Sequence, residues 1–125
     1  MIRVGTDILQ IQRIDRVVER QGLRFVQRIL TPSEQQEYLS SKLANRLLAK
    51  RFAAKEAVAK ALGTGIGRGV SWQDIGIDHN ANGAPIVVLS GGALKVAQEL
   101  GSIDIAISIA DETDYVVAFA VLGDG

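Results

Sequence analysis

The chain is 125 residues long, with 14 Lys and Arg against 14 Asp and Glu, so its net charge at pH 7 is zero. That length suits one domain with a core of useful size, the balanced charge argues against nucleic-acid binding through overall charge, and the absence of cysteine excludes a disulfide framework and a thiolate metal site. The segment Met1 to Asp7 places an acid where a secretory signal needs an apolar stretch, and no apolar run approaches the roughly 20 residues that cross a bilayer; a cytoplasmic protein without a membrane partner is expected.

The charge is unevenly spread. Residues 1–30 hold six Arg and three acids, a net +3, and the remainder is correspondingly acidic. Ile2 to Ile11 reads as a strand, with Val4, Ile8 and Leu9 apolar. Gln12 to Gln21 reads as a helix that stops at Gly22. On it Arg13, Arg16 and Arg20 fall within about 60° of one another, while Ile11, Ile14 and Val18 point toward another side. Arg24 joins the basic group if the helix resumes past Gly22. Such a group is either a docking surface for an acidic partner or a solvated face.

Leu23 to Leu30 suggests a second short helix. Thr31-Pro32-Ser33-Glu34 is a strong helix start: Thr31 can cap, Pro32 suits the first turn, and Glu34 completes a capping box. That helix runs to Ser40, and a long one follows from Ala44 to Leu62. In the second half, Asp74 to Asp78 alternates as a strand and His79 to Ala84 is a turn with the Asn-Gly hairpin signal. Pro85 to Leu89 returns. Ala93 to Leu100 reads as a helix ended by Gly101. Ile103 to Ala110 and Tyr115 to Leu122 form a last hairpin, whose turn leaves Asp111 and Glu112 as surface charges. No repeat or linker interrupts 1–125, so a single α+β domain is expected.

The long helix carries its charges in unusual places. Leu48, Phe52, Ala59 and Leu62 share one face; Lys55 falls inside it, and Arg51 and Glu56 fall at its edges. The opposite side carries Ala53, Ala57 and Ala61 rather than charge, so the helix reads as buried on more than one side. Buried charges cost several kcal/mol unless paired or metal-bound, which marks this helix as a site. With no Cys and a single His, carboxylates are the available metal donors, and they favour Mg²⁺ or Mn²⁺. Asp7 and Glu56 are the candidates, since each interrupts an apolar element. The alternative is that Asp7 ends or caps a strand and Glu56 pairs with Lys60 at i, i+4. The loop Gly63-Thr64-Gly65-Ile66-Gly67 either cradles phosphate through backbone N–H groups or simply caps the helix. Trp72 reads as an anchor of the core or a loop, and His79 as a solvated turn residue without a role.

Taken together, Gly5-Thr6-Asp7-Ile8 with Arg13-Ile14, Arg28-Ile29-Leu30-Thr31 with Glu34, and Arg51-Phe52-Ala53-Ala54-Lys55-Glu56-Ala57 with Lys60-Ala61 and Gly63-Thr64-Gly65 closely resemble the holo-acyl-carrier-protein synthases. These are small bacterial phosphopantetheinyl transferases. The resemblance covers nearly the whole chain. It implies an antiparallel sheet with a long central helix, a homotrimer with each active site between two subunits, and transfer of 4′-phosphopantetheine from coenzyme A to a serine of acyl carrier protein in fatty acid biosynthesis. It further implies that Asp7 and Glu56 hold the metal, Mg²⁺ or Mn²⁺. Lys60 then lies near the reacting phosphate. Arg51, Gly63, Thr64, Gly65 and Pro85 belong to the coenzyme A site, and the helix of Arg13 and Arg20 docks the carrier protein, with Arg16 and Arg24 beside them. Many members read Ser-x-Ser-His where this chain has Ser108-Ile109-Ala110-Asp111; the imidazole is missing, with Ala110 read in its place, and Ser108 is left in doubt. Two other readings compete: a non-catalytic module that holds a nucleotide through the Gly loop, and a structural partner of an acidic protein that uses only the Arg face.

Overall fold

The computed structural model describes residues 1–123; Asp124 and Gly125, the last two positions of the expected domain, lie outside the described residues. The elements follow as β1 (Arg3–Gln10), α1 (Ile11–Gln21), α2 (Leu23–Ile29), α3 (Pro32–Ser40), α4 (Ala44–Leu62), β2 (Ile75–His79), β3 (Pro85–Leu89), α5 (Gly91–Glu99), β4 (Asp104–Asp111) and β5 (Tyr115–Gly123). Helix α1 breaks where Gly22 takes φ 61° and ψ −141°, and α2 starts at once in a new direction. Helix α3 begins with the expected capping box: the Glu34 N–H donates to the Thr31 hydroxyl and the Thr31 N–H to the Glu34 carboxylate.

Two sheets form. β1, β5 and β4 make an antiparallel sheet in that order, with Asp7 opposite Ala118 and Gly5 opposite Ala120; β2 and β3 pair separately as a hairpin. Helix α4 lies across one face of the larger sheet, chiefly over β1 and β5. The strands bury Leu9, Val116, Ala118, Ala120 and Leu122 against it. Alternation along the same strands turns Val4, Ile8, Val117 and Phe119 to the other face, where they are exposed. The helix is buried on several sides, as its sequence suggests: Ala53, Ala57, Ala61, Leu48 and Lys55 are all sealed from solvent.

Two local departures have clear causes. Asp74 belongs not to β2 but to a 3₁₀ turn, Trp72–Asp74, where its carboxylate accepts from the Ser71 N–H at 3.1 Å. Helix α5 opens two residues earlier than its apolar pattern suggests, at Gly91-Gly92. A Cβ on Gly92 would stand 1.8 Å from the Gly69 carbonyl oxygen, so glycine is required where this turn meets the loop after α4.

Candidate active site

The site is built on the contact between β1 and α4. A Cβ added at Gly5 would lie 2.0 Å from the Ala57 carbonyl oxygen and 2.6 Å from the Ala61 nitrogen, so only glycine allows the strand to rest directly on the helix backbone. Two residues along β1, about 6.6 Å, Asp7 faces the same way. Its carboxylate accepts from the Lys60 ammonium at 3.1 Å, and Lys60 also donates to the Thr6 carbonyl at 3.0 Å. Lys60 therefore reaches across to the strand, not back along the helix to Glu56, which goes against the alternative of an i, i+4 pair. Asp7 is mostly buried and Lys60 half-exposed.

Glu56 is half-buried one turn before Lys60. Burial, and then the neighbouring Asp7 carboxylate, push its carboxyl above the ordinary glutamate range; Lys60 offsets part of this. Two carboxylates held together against burial and mutual repulsion are the arrangement a cation relieves. Among the described residues no group of three or more His, Cys, Asp or Glu could hold a metal by itself. The pair suits Mg²⁺, which takes one or two carboxylates and completes its octahedron with water and phosphate oxygens.

A second cluster surrounds a cavity of about 520 Å³ between the first half of α4, the β2–β3 turn and β4, lined among others by Arg46, Lys50, Arg51, His79, Pro85 and Ser108. Arg51 is 4 % exposed and pairs with Glu37 at 3.0 Å. Its Nε is the single buried side-chain nitrogen or oxygen without a hydrogen-bond partner among the described residues. Arg46 donates to Asp111 at 2.8 Å and to the carbonyls of Glu112 and Thr113 at 2.7 and 3.0 Å, and Lys50 stands 3.6 Å from Asp111. The Arg46 hydrogen bond and the Lys50 charge hold the Asp111 carboxyl below its usual range. Asp111 is a surface charge, as expected, and it also braces two cations at the cavity. Set position by position on Ser-x-Ser-His, Ala110 takes the place of the second serine and Asp111 that of the histidine. His79, expected to have no role, is exposed but lines the cavity.

The glycine loop stands apart from that cavity. Gly63 lies 12 residues beyond Arg51, about 18 Å along α4. The N–H groups of Gly63, Thr64 and Gly65 already donate to the carbonyls of Lys60 and Ala59, closing the helix around a left-handed Gly63. These donors cap the helix instead of forming an open cradle. Within one chain Gly63, Thr64 and Gly65 therefore do not join Arg51 and Pro85. Arg13, Arg16 and Arg20 lie exposed on α1 as expected. Arg24 is exposed too, but the break at Gly22 places it on a separately directed helix.

Lys55, flagged as a misplaced charge, is fully enclosed and bonded to Glu34 at 2.6 Å. Trp72 is the expected anchor, 4.7 Å from Phe52 between ring centroids.

Residues 3–120 match the 4′-phosphopantetheinyl transferase superfamily. The chain is 55% identical over 122 residues to the holo-[acyl-carrier-protein] synthase of Shewanella frigidimarina, covering 98% of this chain and 97% of that one. It is 46% identical over 122 residues to the synthase of Vibrio cholerae, covering 98% and 97%. Among solved structures, the holo-[acyl-carrier-protein] synthase of Neisseria meningitidis superimposes with a TM-score of 0.93 at 44% identity, covering 98% of this chain and 99% of that one. The Helicobacter pylori synthase in complex with coenzyme A gives 0.84 at 32%, covering 96% and 99%. With sequence and fold in agreement along nearly its whole length, the chain belongs to the 4′-phosphopantetheinyl transferase superfamily, among the holo-[acyl-carrier-protein] synthases.

Proposed function

We propose that this protein transfers the 4′-phosphopantetheine group of coenzyme A to a serine hydroxyl of apo acyl carrier protein, supporting fatty acid biosynthesis in the cytoplasm. The observation that carries this reading is the convergence of Asp7, Glu56 and Lys60 where Gly5 seats β1 on α4, in a chain of this family. The serine oxygen attacks the pyrophosphate phosphorus that bears the pantetheine arm, and the adenosine bisphosphate leaves. Phosphoryl transfer of this kind depends on positioning and charge neutralisation, with little covalent work for the protein. Asp7 and Glu56 would hold Mg²⁺, or Mn²⁺ in its place, which supplies neutralisation of the pyrophosphate oxygens.

Lys60 provides a positive charge beside the leaving group. Glu56, half-buried beside Asp7, is the candidate base for the serine proton. Arg51, with its unpartnered Nε, and Lys50 and Arg46 offer cations to the phosphates of coenzyme A, and Pro85 shapes the same cavity. The exposed Arg13, Arg16, Arg20 and Arg24 receive the acidic carrier protein.

Arg51 and Glu56 lie about 140° apart around α4, and Gly63, Thr64 and Gly65 sit at its far end. A homotrimer in which one subunit supplies the cavity and its neighbour the carboxylates and the loop would unite them. The exposed apolar face of Val4, Ile8, Val117 and Phe119 is the surface to bury in that assembly. The test is the intact mass of an apo acyl carrier protein after incubation with this protein, coenzyme A and Mg²⁺, against an EDTA control. The expected result is a Mg²⁺-dependent gain of one phosphopantetheine group. An unchanged mass with a competent carrier protein rejects the reading.

A further inference from the structure

Lys55 is the immediate neighbour of Glu56, is completely buried, and belongs to no step of the reaction above. Its ammonium has three N–H groups and meets three oxygens: Glu34 Oε1 at 2.6 Å, the Ile29 carbonyl at 2.7 Å and the Trp72 carbonyl at 3.2 Å. Those acceptors come from α3, the end of α2 and the turn before β2. Glu34 is itself held from two directions. The Thr31 N–H donates to Oε1 at 2.8 Å and the Ile77 N–H of β2 to Oε2 at 2.8 Å. The end of the Lys55 side chain is therefore fixed by segments that do not belong to α4.

We propose that Lys55 is a positioning residue for the Glu56 carboxylate: bolted to Glu34, it fixes the rotation of α4 about its axis and so sets Glu56 toward Asp7. Consecutive helical residues are locked about 100° and 1.5 Å apart, so pinning one pins the next. At the side-chain radius of about 5–6 Å, a helix rotation of 20° moves an atom by roughly 2 Å, enough to separate two metal ligands. The Gly5 contact holds α4 through Ala57 and Ala61, and Lys55 holds it from among α2, α3 and β2. Without the bolt, α4 loses its buried hydrogen bonds to α2, α3 and the turn before β2 beside Glu56, and the Gly5 contact at Ala57 and Ala61 becomes the pivot nearest the carboxylates.

The test replaces the bolt by neutral groups of similar shape, Lys55→Met with Glu34→Gln, because Lys55→Met alone leaves a buried carboxylate unpaired. The probe is Mn²⁺ titrated into protein saturated with coenzyme A, with free Mn²⁺ read from its paramagnetic resonance amplitude. The folded double variant should bind Mn²⁺ about ten-fold more weakly, the usual scale for a residue that supports a metal ligand. Its kcat should fall while its KM for coenzyme A stays within about two-fold. Leu48→Ala, buried on the same helix, supplies a destabilised control that should bind Mn²⁺ as the wild type does. Should that double variant fail to fold, Lys55→Gln with Glu34→Gln, which leaves no unpaired charge and keeps a capping oxygen at position 34, should still weaken Mn²⁺ measurably. Wild-type affinity in the folded variant, or an equal loss in Leu48→Ala, overturns the inference. It rests on the Asp7 and Glu56 reading: a wild type that takes up no Mn²⁺ overturns both, whereas equal uptake by wild type and variant overturns the positioning role alone.

Discussion

Two charged residues stand side by side on α4 and meet opposite fates. Lys55 is enclosed with a carboxylate partner, and each of its N–H groups has an oxygen within 3.2 Å. Glu56 is half-buried, faces another carboxylate, and receives only partial relief from Lys60. The first arrangement is closed: burial lowers the Lys55 ammonium below the usual lysine range, Glu34 offsets part of that, and every N–H finds its acceptor inside the chain. The second is unfinished: nothing inside the chain balances the two carboxylates fully. Burial and charge alone do not distinguish a structural ion pair from a site, since both clusters have them. The distinction lies in whether the protein has already satisfied the charge it buried.

The sharpest way to break this comparison is Glu56→Gln. Turnover should fall on the order of a thousand-fold, about 4 kcal/mol of transition-state stabilisation. Stability should move the other way. The Glu56 carboxyl titrates higher in the folded chain than in the unfolded one, so folding favours its protonated form. That contribution is full below the unfolded value near 4.5 and is lost as pH rises through the raised folded value. At pH 8, without divalent cations, the wild type therefore carries a penalty that the variant lacks, and thermal melts should show a higher Tm for the variant. The gain should vanish near pH 4. A lower Tm at pH 8 would mean that Glu56 is as satisfied as Lys55, and the contrast would fail.

Gly5→Ala sharpens the same contrast from the strand side. A methyl group 2.0 Å from the Ala57 carbonyl cannot fit, so β1 must move away from α4 and carry Asp7 with it. Overpacking of this kind costs about 1–3 kcal/mol, read from urea denaturation. Activity should drop by more than the unfolded fraction explains. Gly76→Ala on β2, where the nearest atom would be 3.5 Å away, is the matched control and should be close to neutral.

The finished cluster was the harder one to read from sequence. The bounds of α4 follow from an Ala- and Leu-rich run closed by Gly63, and Ala44–Leu62 is what forms. Asp7 and Glu56 stand out because each interrupts an apolar element. The partner of Lys55 leaves no such trace. Glu34 lies 21 positions away, and its place in the capping box already accounts for its carboxylate. One oxygen serves the cap and the ammonium together, while the other takes the Ile77 N–H. Arg46 and Asp111, 65 positions apart, are hidden for the same reason: side-chain pairing between distant elements has no period. The i, i+4 rule fails at Lys60 because β1 approaches closely enough for Thr6 and Asp7 to capture the ammonium. That approach depends on Gly5, whose meaning is visible only once the strand lies on the helix.

A third kind of charge completes the series. Arg13, Arg16 and Arg20 are exposed on α1, neither sealed like Lys55 nor held against repulsion like Glu56. Charges in water contribute little to stability, and the role proposed for these is association. Charge reversal at Arg13 should leave Tm and the KM for coenzyme A unchanged. The KM for carrier protein should rise about ten-fold, or about 1.4 kcal/mol. That rise should shrink with added salt, because the Debye length falls to about 8 Å at 0.15 M and shortens the reach of a solvated charge. The other two clusters should respond less to salt, since their charges are wholly or partly withdrawn from it. An Arg13→Glu variant that raises both KM values equally would place this arginine near the chemistry. It would then belong with Glu56, among charges the fold holds ready for a ligand, and not among those it leaves in solvent for a partner.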